Sequence, residues 1–412
     1  MRVTQSMMAA NSLRHLNNSY QNLIKYNDQL ATGKKITRAS QDPVIAMNGM
    51  RYRTQVAETE QFKRNLSETY NWMESSDASL GQTTSALQRV RELTIQASND
   101  TYEATQRDNI SKEVRQLIDQ LESLGNQRVN NKYIFNGTNT TNQPITAGEL
   151  DLGIGAFVEE LGDNFAGDFD GVDQDLLNDF RTDFEQNVTF KGGSYEPLSR
   201  EGNVVTFQNT TPGKTGEVLT FILDGTDVAS ITHSKPAVNA AGEPVLDVNG
   251  DPTLDVTNVQ ERQVVIGNKS AVSTNTQNVQ FELLKGVNVD VNVTPQNVFT
   301  NEMFGDLIAL EKALQDPNVT AQELTEMIDV VDHHINNTVN ERAELGARTN
   351  RVEMIDTRVR EQEVIAKRIM SDNEDADIEK VITDLLAQEN VHRAALSATG
   401  RIIQPSLLDF LR

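Results

Sequence analysis

Apolar residues near the start of the chain recur at alternating steps of three and four: Leu13, Leu16, Tyr20, Leu23 and Leu30, with Asn27 in a polar slot. That spacing is the stripe of an amphipathic helix that meets a partner helix, about two turns short of a full coiled-coil repeat. Gly33 stops the pattern. Asp42-Pro43 restarts it, with Asp as the cap and Pro at the first helical position. From Pro43 to about Ser98 no further Pro occurs, and Gly appears only at Gly49 and Gly81. Leu66, Met73, Leu80 and Leu87 then repeat every seven residues, flanked by Thr69, Ser76, Thr83, Val90 and Ala97. The small flanking residues predict close helix approach. Such a helix measures roughly 80 Å at about 1.5 Å per residue and cannot bury so narrow a seam alone. Asn99-Asp100 breaks it, and Ile110, Val114, Leu117, Leu121 and Leu124 form the next seam.

Between about Thr138 and Thr300 the period changes. Val204 to Phe207, Val218 to Leu223 and Val287 to Val293 read as strands, the last in strict alternation, with Asp224-Gly225 and Asn249-Gly250 as turns. One or two small β-rich domains are expected there. Helical spacing returns with the capping box Thr320-Ala321-Gln322-Glu323 and the seam Leu324, Ile328, Val331, Ile335, Arg342, Leu345, Thr349, Val352 and Val359. A last seam follows Ile378, Ile382, Leu385, Glu389, His392, Leu396, Thr399 and Ile403. The two ends mirror each other, a shorter seam outside and a longer one inside, so they are expected to pair. The fold class is α+β: long terminal α-helices forming a coiled-coil-like rod, with an inserted β-rich domain. The expected divisions are an N-terminal assembly helix (1–42), the two rod halves (43–137 and 301–372) around the β-rich insert (138–300), and a C-terminal assembly helix (373–412).

Composition narrows the function. Of the formal net charge of −23, the stretch from Ile145 to Gln260 holds 21 Asp and Glu against 5 Lys and Arg, a net of −16, whereas the first fifty residues carry 6 basic and 2 acidic side chains. An acidic middle repels phosphate, which argues against nucleic acid as a partner. The absence of cysteine excludes disulfides, thiol catalysis and Cys-ligated zinc. No apolar run approaches the length of a membrane span, so no membrane insertion is expected, and the start lacks the apolar core of a signal peptide.

Catalytic and cofactor patterns fail on inspection. Gly213-Lys214-Thr215 lacks the upstream glycine of a phosphate loop, Gln208 standing in its place. Gly153 and Gly155 begin a dinucleotide pattern that Val158 ends. Asp247 to Asp251 has calcium-loop flavour, but Asn258 stands where the bidentate Glu is needed. His333 and His334 are adjacent on a helix and point apart by about 100°, so solvation is expected for both. No enzyme activity, cofactor or metal is expected. Two readings from other classes stay open: a glycan- or protein-acting enzyme carried in the β region, and a coiled-coil adhesin.

Three motifs carry a family resemblance. Leu30-Ala31-Thr32-Gly33-Lys34-Lys35-Ile36-Thr37-Arg38-Ala39-Ser40-Gln41-Asp42-Pro43 resembles the N-terminal signature of bacterial flagellins. Leu87-Gln88-Arg89-Val90-Arg91-Glu92-Leu93 and Asn340 to Arg351 are similar to two further flagellin stretches, in the expected order. The first five residues differ from a filament flagellin's start. The finish, Ile402 to Arg412, and Lys132-Tyr133-Ile134-Phe135-Asn136-Gly137 resemble the hook-associated members of the family.

The resemblance implies a structural subunit exported through the flagellar type III apparatus, served by an export chaperone. It implies a homo-oligomeric ring in the extracellular flagellum that joins hook to filament, beside hook-associated proteins and flagellin. A filament flagellin is the alternative. The implied assembly interface comprises Leu13, Leu16, Tyr20, Leu23 and Leu30 at one end, and Ile378, Leu385, Leu396, Ile403, Leu408, Phe410 and Leu411 at the other. The Leu87–Leu93 stretch, with Arg89 and Leu93, resembles a flagellin surface sensed by an animal toll-like receptor, and Glu113 lies where the next helix could flank it, although packing against a neighbouring subunit would explain the same residues.

Overall fold

The computed structural model of the chain describes residues 5–99, 103–163, 174–214, 216–225, 227–237 and 253–403. The elements run α1 (Gln5–Thr32), α2 (Pro43–Ala97), α3 (Ala104–Gly125), β1 (Arg128–Val129), β2 (Lys132–Tyr133), α4 (Gly153–Asp163), α5 (Gln174–Asp183), β3 (Gln186–Phe190), β4 (Gly193–Glu201), β5 (Val204–Asn209), β6 (Val218–Asp224), β7 (Asp227–Pro236), β8 (Leu254–Val259), β9 (Val265–Asn268), β10 (Gln280–Leu284), β11 (Val287–Asp290), α6 (Pro295–Val298), α7 (Asn301–Gln315), α8 (Ala321–Glu374) and α9 (Ile378–Ile403). The caps fall where their residue types put them. Asp42 Oδ1 accepts from the amides of Val44 (3.0 Å) and Ile45 (3.1 Å), and Thr320 Oγ1 accepts from the amide of Glu323 (3.2 Å). The chain forms two compact units: residues 1–65 with 354–412, and residues 66–353. The long helices α2 and α8 supply residues to both.

In the unit of residues 66–353, α2 buries the seven-residue ladder Leu66, Met73, Leu80 and Leu87 together with its small flank, Thr69, Ser76, Thr83, Val90 and Ala97. The hydroxyls are satisfied within their own helix: Ser76 Oγ donates to Trp72 O (2.9 Å) and Thr83 Oγ1 to Ser79 O (2.9 Å). On α8 the buried line is Leu324, Met327, Val331, His334, Thr338, Leu345 and Val352. Arg342 is not part of it. Its guanidinium reaches Asp77 at 2.7 and 2.9 Å and lies over Gly81, where a Cβ would sit 3.4 Å from it. His333 is exposed, but His334 is buried instead of solvated, because α8 turns it onto Asp306 of α7, with Nε2 2.7 Å from Oδ2.

The inserted part of this unit is one seven-stranded antiparallel sheet, in the order β8-β7-β6-β5-β4-β3-β9, plus the separate β10–β11 hairpin. Both inner strands foreseen from the sequence are there as β5 and β6, and Asp224-Gly225 makes the β6–β7 turn with Gly225 at φ +65°. Of the alternating run from Val287 to Val293, only Val287–Asp290 pairs as a strand. The sequence reading missed α4 and α5; it placed 301–372 in a helical rod half but named no separate helix ahead of Thr320, where α7 lies. Helices α4 and α5 lay Phe157, Leu161, Leu177 and Phe180 on the face of Val205, Phe207, Leu219 and Phe221. Helix α7 is buried on almost every side, between α3 and strands β3 and β9. It approaches β3 so closely that a Cβ on Gly305 would lie 2.1 Å from Thr189 Oγ1. The proposed turn Asn249-Gly250 and the calcium-like stretch from Asp247 lie outside the described residues.

In the unit formed by the two ends, α1 and α9 pack together. Residues 34 and 375 are paired, and Gln388 Nε2 donates to Ser19 Oγ at 2.9 Å, so the two helices run antiparallel. The ends therefore pair as their mirrored seams require.

Candidate assembly interface

The flagellin-like stretch Leu30 to Pro43 builds a knot of backbone and charge. Gly33 closes α1 in a left-handed conformation (φ +67°), its amide donating to Gln29 O at 2.9 Å. The chain then runs beside the α8–α9 turn. The amide of Lys35 donates to Glu374 O (2.7 Å), and that of Ala376 to Gly33 O (2.8 Å). Lys34 Nζ sits 2.6 Å from Asp375 and 3.4 Å from Glu374 Oε2, and Arg53 Nη2 reaches the same Oε2 at 2.7 Å.

Glu374 is 5% exposed. Gly49 makes room for it, since a Cβ there would lie 2.7 Å from its Oε1. The hydrogen bond from Arg53 holds the Glu374 carboxyl below the usual range, and that from Lys34 does the same for Asp375. Lys34 in turn is raised by its bond to Asp375. Gln41 Oε1 gathers the loop, accepting from the amides of Thr37 (2.8 Å) and Arg38 (3.2 Å). Beside the knot lies a cavity of about 210 Å³, lined by Ile36, Ala39, Ile45 and Met50 with Lys34, Arg38 and Arg53.

The α1–α9 contact divides the sequence-predicted residues. Leu16, Leu23 and Leu385 are half-buried, along with Tyr26, Gln388 and His392, while Ser19, Val381 and Thr399 are buried. Leu13 (53% exposed), Leu30, Ile378 and Leu396 (49%) remain largely exposed, as does Tyr20, although its ring still lies 6.2 Å from that of His392 across the contact. Each helix thus carries two stripes, a mixed polar one used within the chain and an apolar one left open. Ser19 and Gln388 were missed because a polar side chain carries no hydrophobic period, and the hydrogen bond that joins them crosses 369 positions of sequence. Leu408, Phe410 and Leu411 lie outside the described residues, as does the side chain of Ile403.

Among the three receptor-surface residues, Arg89 and Glu113 meet at 2.8 Å between α2 and α3, with Glu92 a second partner of Arg89 at 3.1 Å. Leu93 differs from the sequence reading. At 2% exposure it belongs to the packed seam of α2, not to the face of Arg89, so it offers no anchor to a partner approaching from solvent. Both described polar members of the trio remain accessible.

Comparison with known proteins draws these elements together. The bacterial flagellin N-terminal helical region matches residues 3–140, and the bacterial flagellin C-terminal helical region matches residues 328–411, together over half of the chain. The chain belongs to the bacterial flagellin family. Among this family's members, the flagellin of Clostridium tyrobutyricum is 32% identical over 124 residues, 30% of this chain and 33% of that protein. The flagellar hook-associated protein 3 of Escherichia coli K12 is 31% identical over 149 residues, 35% of this chain and 46% of that protein. The chain thus spans between a third and just under half of the length of these relatives. A solved structure of hook-associated protein 3 from Legionella pneumophila matches at 16% identity and a TM-score of 0.42, covering 78% of this chain and 98% of that one. The flagellin regions take in α1, α2, α3 and α9, together with most of α8, and so include the whole charged knot. The seven-stranded sheet and α7 lie outside both. Among the described residues no helix is long and apolar enough to cross a membrane.

Proposed function

We propose that this chain is a structural subunit of the bacterial flagellum of the hook-associated protein 3 type, a ring-forming adaptor that joins hook to filament through α1 and α9. The observation that carries this reading is the α1–α9 pair. Both helices lie in flagellin regions, they are tied by the Lys34–Glu374–Arg53 knot, and they leave Leu13, Tyr20, Leu30, Ile378 and Leu396 exposed on the outside. Exposed apolar residues at helical spacing are what neighbouring copies would cover, as in a coiled-coil seam. Export through the flagellar type III apparatus, a dedicated chaperone, and flagellin and other hook-associated proteins as neighbours belong to the same proposal, as does an extracellular location. The chemistry is assembly, not catalysis.

A filament flagellin is the second reading, and the similarity to the clostridial flagellin supports it. The resemblance of the finish, Ile402 to Arg412, to hook-associated members favours the first. Deleting the gene separates them. Loss of a junction subunit leaves hooks in place and sheds unpolymerised filament protein into the medium; loss of the filament subunit sheds none. Complementing the deletion with Leu396→Asp tests the open stripe itself. The variant should fold, since Leu396 is exposed, yet fail to restore motility. Normal motility would remove the stripe from the interface.

A further inference from the structure

The two edges of the seven-stranded sheet are treated differently by the chain. On the β9 side the sheet is closed. The amide of Leu152 donates to Ile266 O at 2.7 Å, and the carbonyls of Glu149 and Leu150 lie so near Gly267 that a Cβ there would meet them at 3.0 and 2.7 Å. On the β8 side no described strand follows. Strand β8 reads Leu-Asp-Val-Thr-Asn-Val; Asp255 is its single charge, and it has no lysine, no proline and no bulge in its pairing with β7. Leu254 is 54% exposed and Val256 59%.

The backbone of β8 also has a direction. The amide of Ala237 donates across to Thr253 O at 2.7 Å, which makes that pair a hydrogen-bonded one. Hydrogen-bonded pairs alternate along an antiparallel ladder, so Asp255, Thr257 and Val259 spend their amides on β7. Leu254, Val256 and Asn258 aim theirs away from the sheet.

We infer that the β8 edge is a docking surface for β8 of a second copy of this chain, the two strands running antiparallel with Val256 opposite Val256. This register makes Leu254 face Asn258 and Asp255 face Thr257 across the seam. The outward amides and carbonyls then meet each other as hydrogen-bonded pairs, and the two valines touch on one face. Charge selects the register. Centring the pair one residue earlier would set the two Asp255 carboxylates directly opposite, a like-charge contact that destabilises a ladder. Centring it one residue later would place Val256 against Asn258 and lose the apolar pair. The two-fold pairing consumes the open edge of both copies, and the β9 edges are already closed, so growth stops at two. The strongly acidic surroundings oppose the approach: residues 145–260 carry a net −16 in each copy. Association should therefore strengthen as salt screens that repulsion.

The test is sedimentation equilibrium of the purified full chain at tens to hundreds of micromolar, in about 0.05 M and about 0.5 M NaCl, with hydrogen exchange read in parallel. The expected result is a mass that rises from 45.8 kDa towards twice that value, further at the higher salt. The amides of Leu254, Val256 and Asn258 should slow as the dimer fills, whereas those of Asp255 and Thr257 are slow throughout. Val256→Lys should weaken the dimer at least about tenfold. Val256→Pro removes an outward amide and spares the ladder to β7, and it should do the same. A chain monomeric at every concentration and salt would overturn the inference. So would a dimer that both variants leave intact, or one abolished by Leu396→Asp instead, since that association would belong to the terminal helices.

Discussion

Replacing Glu374 with Ala should open the knot that joins the two ends of the chain. The carboxylate is almost fully buried and accepts from Arg53 at 2.7 Å, with Lys34 at 3.4 Å, so two cations lose their shared partner. Hydrogen bonds to charged groups contribute about 1.5–3 kcal/mol. Arg53 and Lys34 are 65% and 40% exposed and return to water when released, which lowers the net loss to about 1–2 kcal/mol. The amides of Lys35 and Ala376, bonded across the knot, report its opening. A loss of that size should raise their hydrogen-exchange rates about 5–30-fold while the α2 seam is untouched. Glu374→Gln, which keeps the shape and one acceptor, should fall between. The same amides should respond to acid. Glu374 and Asp375 have folded pKa values below their unfolded ones, so their contribution is present above about pH 4.5 and is lost as pH falls through the folded values. Lys34 works the other way, its contribution complete below its ordinary value near 10 and lost only above the raised one. Equal exchange in wild type and Glu374→Ala at neutral pH would refute the reasoning, since the backbone bridge would then hold without the carboxylate.

Three further outcomes follow from buried contacts. Phe157→Ala, which removes a ring packed 4.9 Å from Phe221 and 5.5 Å from Phe207, should cost about 3–5 kcal/mol, read as a lower denaturant midpoint for the sheet. Gly305→Ala should lower the melting temperature despite the better helix former, because its Cβ would fall 2.1 Å from Thr189 Oγ1, and overpacking costs about 1–3 kcal/mol against a gain of about 1. Thr189→Ala should recover part of that loss; no recovery would place the strain elsewhere. Leu93→Ala should destabilise the helices by about 2–5 kcal/mol, whereas Arg89→Ala, at an exposed ion pair, should change the denaturant midpoint little.

What the sequence determined by itself was everything local or periodic. The Asp42 and Thr320 caps, the stop at Gly33, the seven-residue ladder from Leu66 to Leu87 and the strands β5 and β6 all follow from side-chain chemistry and spacing within one segment. The mirrored terminal seams also implied that α1 would find α9. Which stripe of each helix would make that contact was decided only in three dimensions. The contact fell to the more polar side of α1, where Ser19 accepts from Gln388, a hydrogen bond that leaves no mark in hydropathy. Leu93 and His334 were misread for the same reason. Their burial is set by tertiary packing, for His334 by Asp306 of α7, and not by their own neighbours in sequence. Within the expected helical stretch 301–372, α7 was not singled out as its own helix, because a helix buried on nearly every side has no polar face to give it a period. The knot at Glu374 is the clearest case of tertiary decision. A glycine at 49, cations at 34 and 53 and a carboxylate at 374 are unremarkable separately, and become one site only when the two ends of the chain are folded against each other.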